Sequence, residues 1–241
     1  MTACLASVRS LAEANLVAAA GVAWIDLKEP AAGALGAVPA SVLDEVAAAW
    51  RGRRILSATI GDCWETPDQI PGRVRAVAQA GLDYAKVGLF AQRPSLALLA
   101  AMGRASAMGT KVIAVCFAEA PPDANDIARL ADCSLAGLML DTASKEGPPL
   151  CELLPTADLR VFVQAVKARG LLCGLAGRLS LSDIPDLLPL GADYLGFRSA
   201  LCGGLGREAA VDGEAARRLV ARFAEPGRQR TVAQTCVTRN R

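Results

Sequence analysis

The chain has 241 residues, 53% hydrophobic and 21% charged, with a formal net charge of +2. That composition excludes a disordered chain and supports a large core, on a length that α/β barrels routinely occupy as one domain. The near-balance of charge and the 4% aromatic content argue against a nucleic-acid surface, which needs a basic stripe or stacking rings.

Short apolar runs alternate with longer Ala- and Leu-rich stretches of helical period from end to end. Strands are predicted at 3–8, 23–28, 55–59, 84–89, 111–117, 137–141, 172–176 and 194–198. Helices are predicted after them at 11–20, 40–50, 71–80, 94–108, 124–131, 158–169, 183–190 and 213–223, several closed by a glycine. Eight βα units with no gap for a second domain predict a single-domain (β/α)8 TIM barrel over residues 1–224. A doubly wound sheet is the fallback, but the first strand lacks the Gly-rich loop and following acidic residue of a dinucleotide site. Residues 225–241 carry four arginines and no apolar period, which reads as a flexible basic tail. No run of 18 uncharged apolar residues occurs, and Arg9, Glu13 and Asp26 interrupt the Ala-rich start. A cytoplasmic protein with no membrane partner and no nucleic-acid partner is expected; a homo-oligomer is left open.

The ionisable residues narrow the chemistry. There is no histidine, which removes Ser-His and Cys-His nucleophile pairs, histidine bases and histidine-ligated metals. The eight cysteines form no C-x-x-C pair, so no zinc site or disulfide framework is expected, and Cys202, without a histidine, reads as a packing residue. Of 26 basic residues only Lys28, Lys86, Lys111, Lys145 and Lys167 are lysine; the rest are arginine, which cannot deprotonate to an amine nucleophile.

In a (β/α)8 barrel the active site lies at the C-terminal ends of the strands. Side chains alternate in direction along a strand. If Ile25, Leu27, Ala85, Val87, Leu138, Leu140, Leu195 and Phe197 face the helices, then Asp26, Lys28, Lys86, Asp141 and Arg198 face the axis, from strands 2, 4, 6 and 8. Alternate strands feed the same interior layer, which places these groups together at one level of the mouth. Buried Asp–Lys pairs as plain structure are the alternative. The functional reading is amine chemistry: a desolvated lysine beside a second cation is nucleophilic towards carbonyls, and nearby carboxylates move protons.

A phosphate site is expected at the loops after strands 7 and 8. Ala176, Gly177 and Arg178 follow one; Arg198 and the Gly203–Gly204 pair follow the other. Glycines admit backbone N–H groups to an anion, and arginine grips it bidentately. Ser57, Thr59 and Asp62 at the end of strand 3 either line the pocket or cap a turn.

These residues resemble the (5-formylfuran-3-yl)methyl phosphate synthases of methanofuran biosynthesis, also called 4-(hydroxymethyl)-2-furancarboxaldehyde-phosphate synthases. The resemblance runs from about residue 4 to 222. It is carried by Asp26-Leu27-Lys28-Glu29-Pro30, Ser57-Ala58-Thr59-Ile60-Gly61-Asp62, Asp83-Tyr84-Ala85-Lys86-Val87-Gly88-Leu89, Met139-Leu140-Asp141-Thr142-Ala143-Ser144-Lys145-Glu146-Gly147, Leu175-Ala176-Gly177 and Gly196-Phe197-Arg198. It implies a lyase that joins two glyceraldehyde 3-phosphate molecules into a furan aldehyde phosphate, with no cofactor and no metal. Lys28 would be the Schiff-base lysine, and Lys86 and Asp141 would assist proton transfer. Lys145 would act in the site or hold a phosphate, and Asp26 would orient Lys28 or shuttle a proton. The residues alone also admit a class I aldolase on another sugar phosphate, or a flavin-binding barrel oxidoreductase.

Overall fold

The computed structural model describes residues 1–90, 94–144, 146–204 and 206–225. Lys145 and nearly all of the expected tail lie outside the described residues. Eight strands, β1 (Ala3–Val8), β2 (Trp24–Leu27), β3 (Ile55–Thr59), β4 (Tyr84–Leu89), β5 (Lys111–Phe117), β6 (Gly137–Asp141), β7 (Leu172–Leu175) and β8 (Tyr194–Phe197), pair in parallel and in sequence order. Pairing of β1 with β8 closes the barrel. The helices are α1 (Leu11–Ala19), α2 (Ala40–Trp50), α3 (Ile70–Gln79), α4 (Leu96–Ala107), α5 (Ala124–Ala131), α6 (Leu150–Leu153), α7 (Thr156–Lys167), α8 (Ile184–Leu187) and α9 (Gly213–Ala224). None is long and apolar enough to cross a membrane.

Two apolar zones explain why these segments take these shapes. Outward-facing strand residues, including Ile25, Leu27, Ala85, Val87, Leu138, Leu140, Leu195 and Phe197, are buried in the layer between sheet and helices. Inward residues Leu5, Trp24, Ile113, Val115, Met139 and Tyr194 fill the barrel itself. Strands covered on both faces read as nearly continuous apolar runs, so an inward charge stands out against them. Side-chain caps start several helices: Ser10 accepts from the Glu13 amide, and Asp123 from the amides of Asn125 and Asp126.

The predicted helix over 183–190 is broken. Pro185 opens α8, and the chain tightens into a 3-10 turn at Leu188–Leu190, because Pro189 has no N–H to continue an α-helix. The short α6 was not anticipated.

The barrel floor is aromatic. The Trp24 ring centroid lies 5.0 Å from that of Tyr84 and 4.5 Å from that of Tyr194. Gly174 makes room for this cluster, since a β-carbon there would stand 2.2 Å from the Tyr194 ring. The charged residues rest on this floor.

Candidate active site

Asp26 and Lys86 meet inside the barrel. The Lys86 ammonium lies 2.9 Å from Asp26 Oδ1, with side-chain exposures of 2% and 3%. Parallel register sets Ser7 and Ser57 on either side of Asp26. Ser7 Oγ donates to Asp26 Oδ2 at 3.0 Å. Ser57 Oγ donates to Asp26 Oδ1 at 2.5 Å and accepts from Trp24 Nε1 at 2.9 Å. The carboxylate therefore accepts three hydrogen bonds, which offset its burial. Burial pushes the Lys86 pKa below the ordinary lysine value; Asp26 pulls it back up and Lys28 adds to the depression.

Lys28 and Asp141 form a second pair nearer the mouth, 3.4 Å apart and 13% and 14% exposed. Asp141 is oriented by the Thr142 amide, which donates to Oδ1 at 2.8 Å and leaves Oδ2 to the lysine. The two pairs therefore occupy two depths and not the single level expected. Lys28 stands two residues beyond Asp26 on the same strand line, and each step along a strand advances the chain by about 3.3 Å. The outer lysine faces a pocket lined also by Ser7, Leu35, Thr59, Lys86 and Met139.

Three arginines complete the rim: Arg178, Arg198 and Arg207. Arg198 is anchored on every donor. Its Nε donates to the Arg207 carbonyl, Nη1 to Glu13 Oε2 and the Ser7 carbonyl, and Nη2 to Glu13 Oε1 and the Ala209 carbonyl. Glu13 also accepts from the amides of Arg9 and Val211. Burial raises the Glu13 pKa, but the hydrogen bonds and charge of Arg198, with those amides, outweigh it and leave the carboxyl below the usual glutamate value.

The structure brings Asp26, Lys28, Lys86, Asp141, Thr59, Ala176, Gly177 and Arg198 to one pocket. Other residues singled out from sequence stand elsewhere. Ser57 is fully buried beneath Asp26. Thr59 lines the pocket, but its hydroxyl is committed to the Gly36 carbonyl at 2.7 Å. Asp62 is exposed, with its carboxylate against Gly33. Gly203 and Gly204 are exposed in left-handed turn conformations away from the lining. Cys202 packs, its thiol directed at the carbonyls of Arg198 and Ala209, with burial pushing its pKa up. Among the described residues no group of three or more His, Cys, Asp or Glu is placed to hold a metal ion.

Ser7, Glu13 and Arg207 were missed. The inward alternation of β1 signals Ser7, because Leu5 and Ser7 share its interior face. Glu13 carries only a helix-start signal, and Arg207 sits in a loop with no period.

Comparisons with known proteins identify the family. A family model described as 4-HFC-P synthase matches residues 4–220. The (5-formylfuran-3-yl)methyl phosphate synthase of Methanopyrus kandleri is 35% identical over 195 residues, 76% of this chain and 81% of that protein. That of Methanosarcina mazei is 33% identical over 221 residues, 87% of this chain and 94% of the relative. In structure, 3-hexulose-6-phosphate synthase from Salmonella typhimurium superposes with a TM-score of 0.65 at 16% identity, covering 92% of this chain and all (100%) of that one. At that identity the likeness concerns the barrel alone. A matched family model over nearly the whole barrel, with two relatives above 30% identity, shows that the chain belongs to the (5-formylfuran-3-yl)methyl phosphate synthase family.

Proposed function

We propose that this protein is a lyase that condenses two molecules of glyceraldehyde 3-phosphate into (5-formylfuran-3-yl)methyl phosphate through an imine at Lys28, for methanofuran-type cofactor biosynthesis. The balance is one inorganic phosphate and two waters released per furan formed. The observation that supports the reading is two Lys–Asp pairs lining one pocket, the inner one almost fully buried and the outer one nearer the mouth.

Lys28 is the amine that substrate can reach. Attack of its neutral form on an aldehyde carbon, with loss of water, gives an imine that acidifies the neighbouring C–H. Asp141, 3.4 Å from the Lys28 nitrogen, takes the proton that the ammonium must shed before attack. Lys86 and Asp26 lie deeper; the buried lysine, with its lowered pKa, exchanges protons with substrate carbons and oxygens above it. Asp26 sets the position and charge of Lys86. Lys145, outside the described residues, is assigned by family resemblance to the site or to a phosphate.

The test is borohydride trapping with glyceraldehyde 3-phosphate, followed by peptide mass mapping and by detection of the furan chromophore in the near ultraviolet. The expected result is a reduced adduct on Lys28 and furan formation by the untreated enzyme. An adduct on another lysine would overturn the role of Lys28, and simple reversible aldol products would overturn the reaction.

A further inference from the structure

Among the described residues five cationic side chains line the pocket: Lys28, Lys86, Arg178, Arg198 and Arg207. Carboxylates neutralise three of them, Asp141 on Lys28, Asp26 on Lys86 and Glu13 on Arg198. Among the described residues neither Arg178 nor Arg207 forms an ion pair.

Arg207 is bound on one side only. Its Nη2 donates to the carbonyls of Pro30 and Gly33 at 3.2 and 2.9 Å, tying the loop after β8 to the loop after β2. Its Nε is buried and has no partner among the described residues. A buried N–H without an acceptor costs free energy, so the Arg207 side chain is not fully satisfied by its own surroundings. Burial pushes the Arg207 pKa below the ordinary arginine value; the carboxylates of Asp141 and Glu208 pull it back up, and the charges of Arg198 and Arg178 add to the depression.

The backbone of Arg207 is fixed by its neighbour. Arg198 Nε donates to the Arg207 carbonyl at 2.8 Å, and Arg198 Nη2 to the Ala209 carbonyl at 2.7 Å. With its remaining donors on Glu13 and Ser7, Arg198 has no N–H left for a ligand. Arg178 follows β7, the strand beside β8, in a left-handed conformation (φ 55°) directly after Gly177, and its Nη1 donates to the Gly147 carbonyl.

We propose that Arg207, assisted by Arg178, holds the substrate phosphate, and that Arg198 is a positioning residue that fixes Arg207 in place. The inference rests on the reading of the substrate as a triose phosphate. Two unpaired cations match the charge of a phosphate monoester, nearly a dianion at neutral pH. With both Nη2 hydrogens on the Pro30 and Gly33 carbonyls, Arg207 meets a phosphate oxygen through its charge and its Nη1 donors, a charge-assisted contact and not a two-pronged fork.

The test uses glycerol 3-phosphate, a phosphate monoester with no carbonyl, so that binding is read without imine formation. Calorimetry compares wild type with R207Q, R207K, R198A and R198A/R207Q, each verified as folded by circular dichroism. R207Q removes the charge and, because its amide reaches only to the Nε position, also the contacts to the Pro30 and Gly33 carbonyls; R207K, which keeps the charge, separates the two losses. Affinity is expected to fall about 10- to 100-fold in R207Q, the loss of a charge-assisted contact, with R207K between the two. R198A is expected to weaken binding in the wild-type background and to add little in R207Q, since it acts through Arg207. Undiminished binding by R207Q overturns the phosphate assignment, and additive losses overturn the positioning role of Arg198. Wild type that binds glycerol 3-phosphate but forms no furan removes the proposed reaction and leaves the anion site standing. Furan formation by R207Q with an unchanged KM removes the anion site and leaves the reaction.

Discussion

Replacing Asp26 with Asn probes the centre of the site most sharply. Asp26 accepts three hydrogen bonds, from Ser7, Ser57 and Lys86. The amide keeps one oxygen and puts an NH2 where the second was, so at least one donor loses its acceptor. If the amide faces Ser57, the serine can accept from it while still accepting from Trp24 Nε1, but its own O–H loses Asp26 as acceptor. The larger loss is charge: Lys86, 2% exposed, has no other carboxylate within ion-pair distance. Breaking one side of a buried pair costs about 3–5 kcal/mol. For a chain of this size that lowers Tm by roughly 6–20 °C. The sign with pH follows from the lysine. Its folded pKa lies below the unfolded one through burial, and the loss of Asp26 deepens that depression. The unfolded chain then binds more protons across the interval between the two pKa values. Stability of D26N therefore rises with pH through that interval, more steeply than wild type, and is lost as pH falls through the folded pKa. The assay is thermal unfolding followed by circular dichroism at a series of pH values, with K86M and D26L/K86M closing a double-mutant cycle. The double variant, with no charge left to bury, is expected to recover most of the stability and none of the activity. A D26N Tm within about 2 °C of wild type, under a resolution of 2–4 °C per kcal/mol, would refute the claim that the pair is energetically coupled.

Three further outcomes follow from other parts of the molecule. The Tyr194 hydroxyl is fully buried and has no hydrogen-bond partner among the described residues, so Y194F should be neutral or stabilising by up to about 1–2 kcal/mol in urea unfolding; a loss of that size would mean that the hydroxyl has a bound partner. Glu13 has a folded pKa below its unfolded one, so its stabilisation is present above the unfolded value and lost as pH falls through the folded value. E13Q should flatten the acid limb of the stability curve, and equal slopes below about pH 4 in the two proteins would contradict the pairing with Arg198. Burial pushes the thiols of Cys4, Cys116 and Cys173 up to about 12, so all three should resist a thiol-disulfide reagent at pH 8 in the native state and react in urea; rapid native modification, mapped by mass spectrometry, would show that the strands open readily.

The barrel was legible in the sequence because its strands are covered on both faces. Runs such as 111–117 and 137–141 stand out as apolar blocks, and one inward position per strand suffices to reveal a charge. The same alternation pointed Asp26, Lys28, Lys86 and Asp141 at the axis, and the absence of histidine left five lysines as the amine nucleophiles beside the carboxylates, thiols and hydroxyls. Helix ends with prolines, as at Pro185 and Pro189, were less legible, since a period continues where the hydrogen bonding cannot.

Partnership was a different matter. Which aspartate meets which lysine, and at what depth, depends on the stagger of strands around a closed barrel, a quantity that no local window contains. Closure pairs β1 with β8 and brings Glu13 to Arg198, 185 positions apart. That contact turned Arg198 from the expected phosphate ligand into an anchored side chain and left the next arginine along, Arg207, facing the pocket. The histidine-free composition narrowed the candidate bases and nucleophiles to carboxylates, five lysines, thiols and hydroxyls; only the tertiary structure decided which lysine is almost fully buried, which stands nearer the mouth, and which arginines have no carboxylate partner among the described residues.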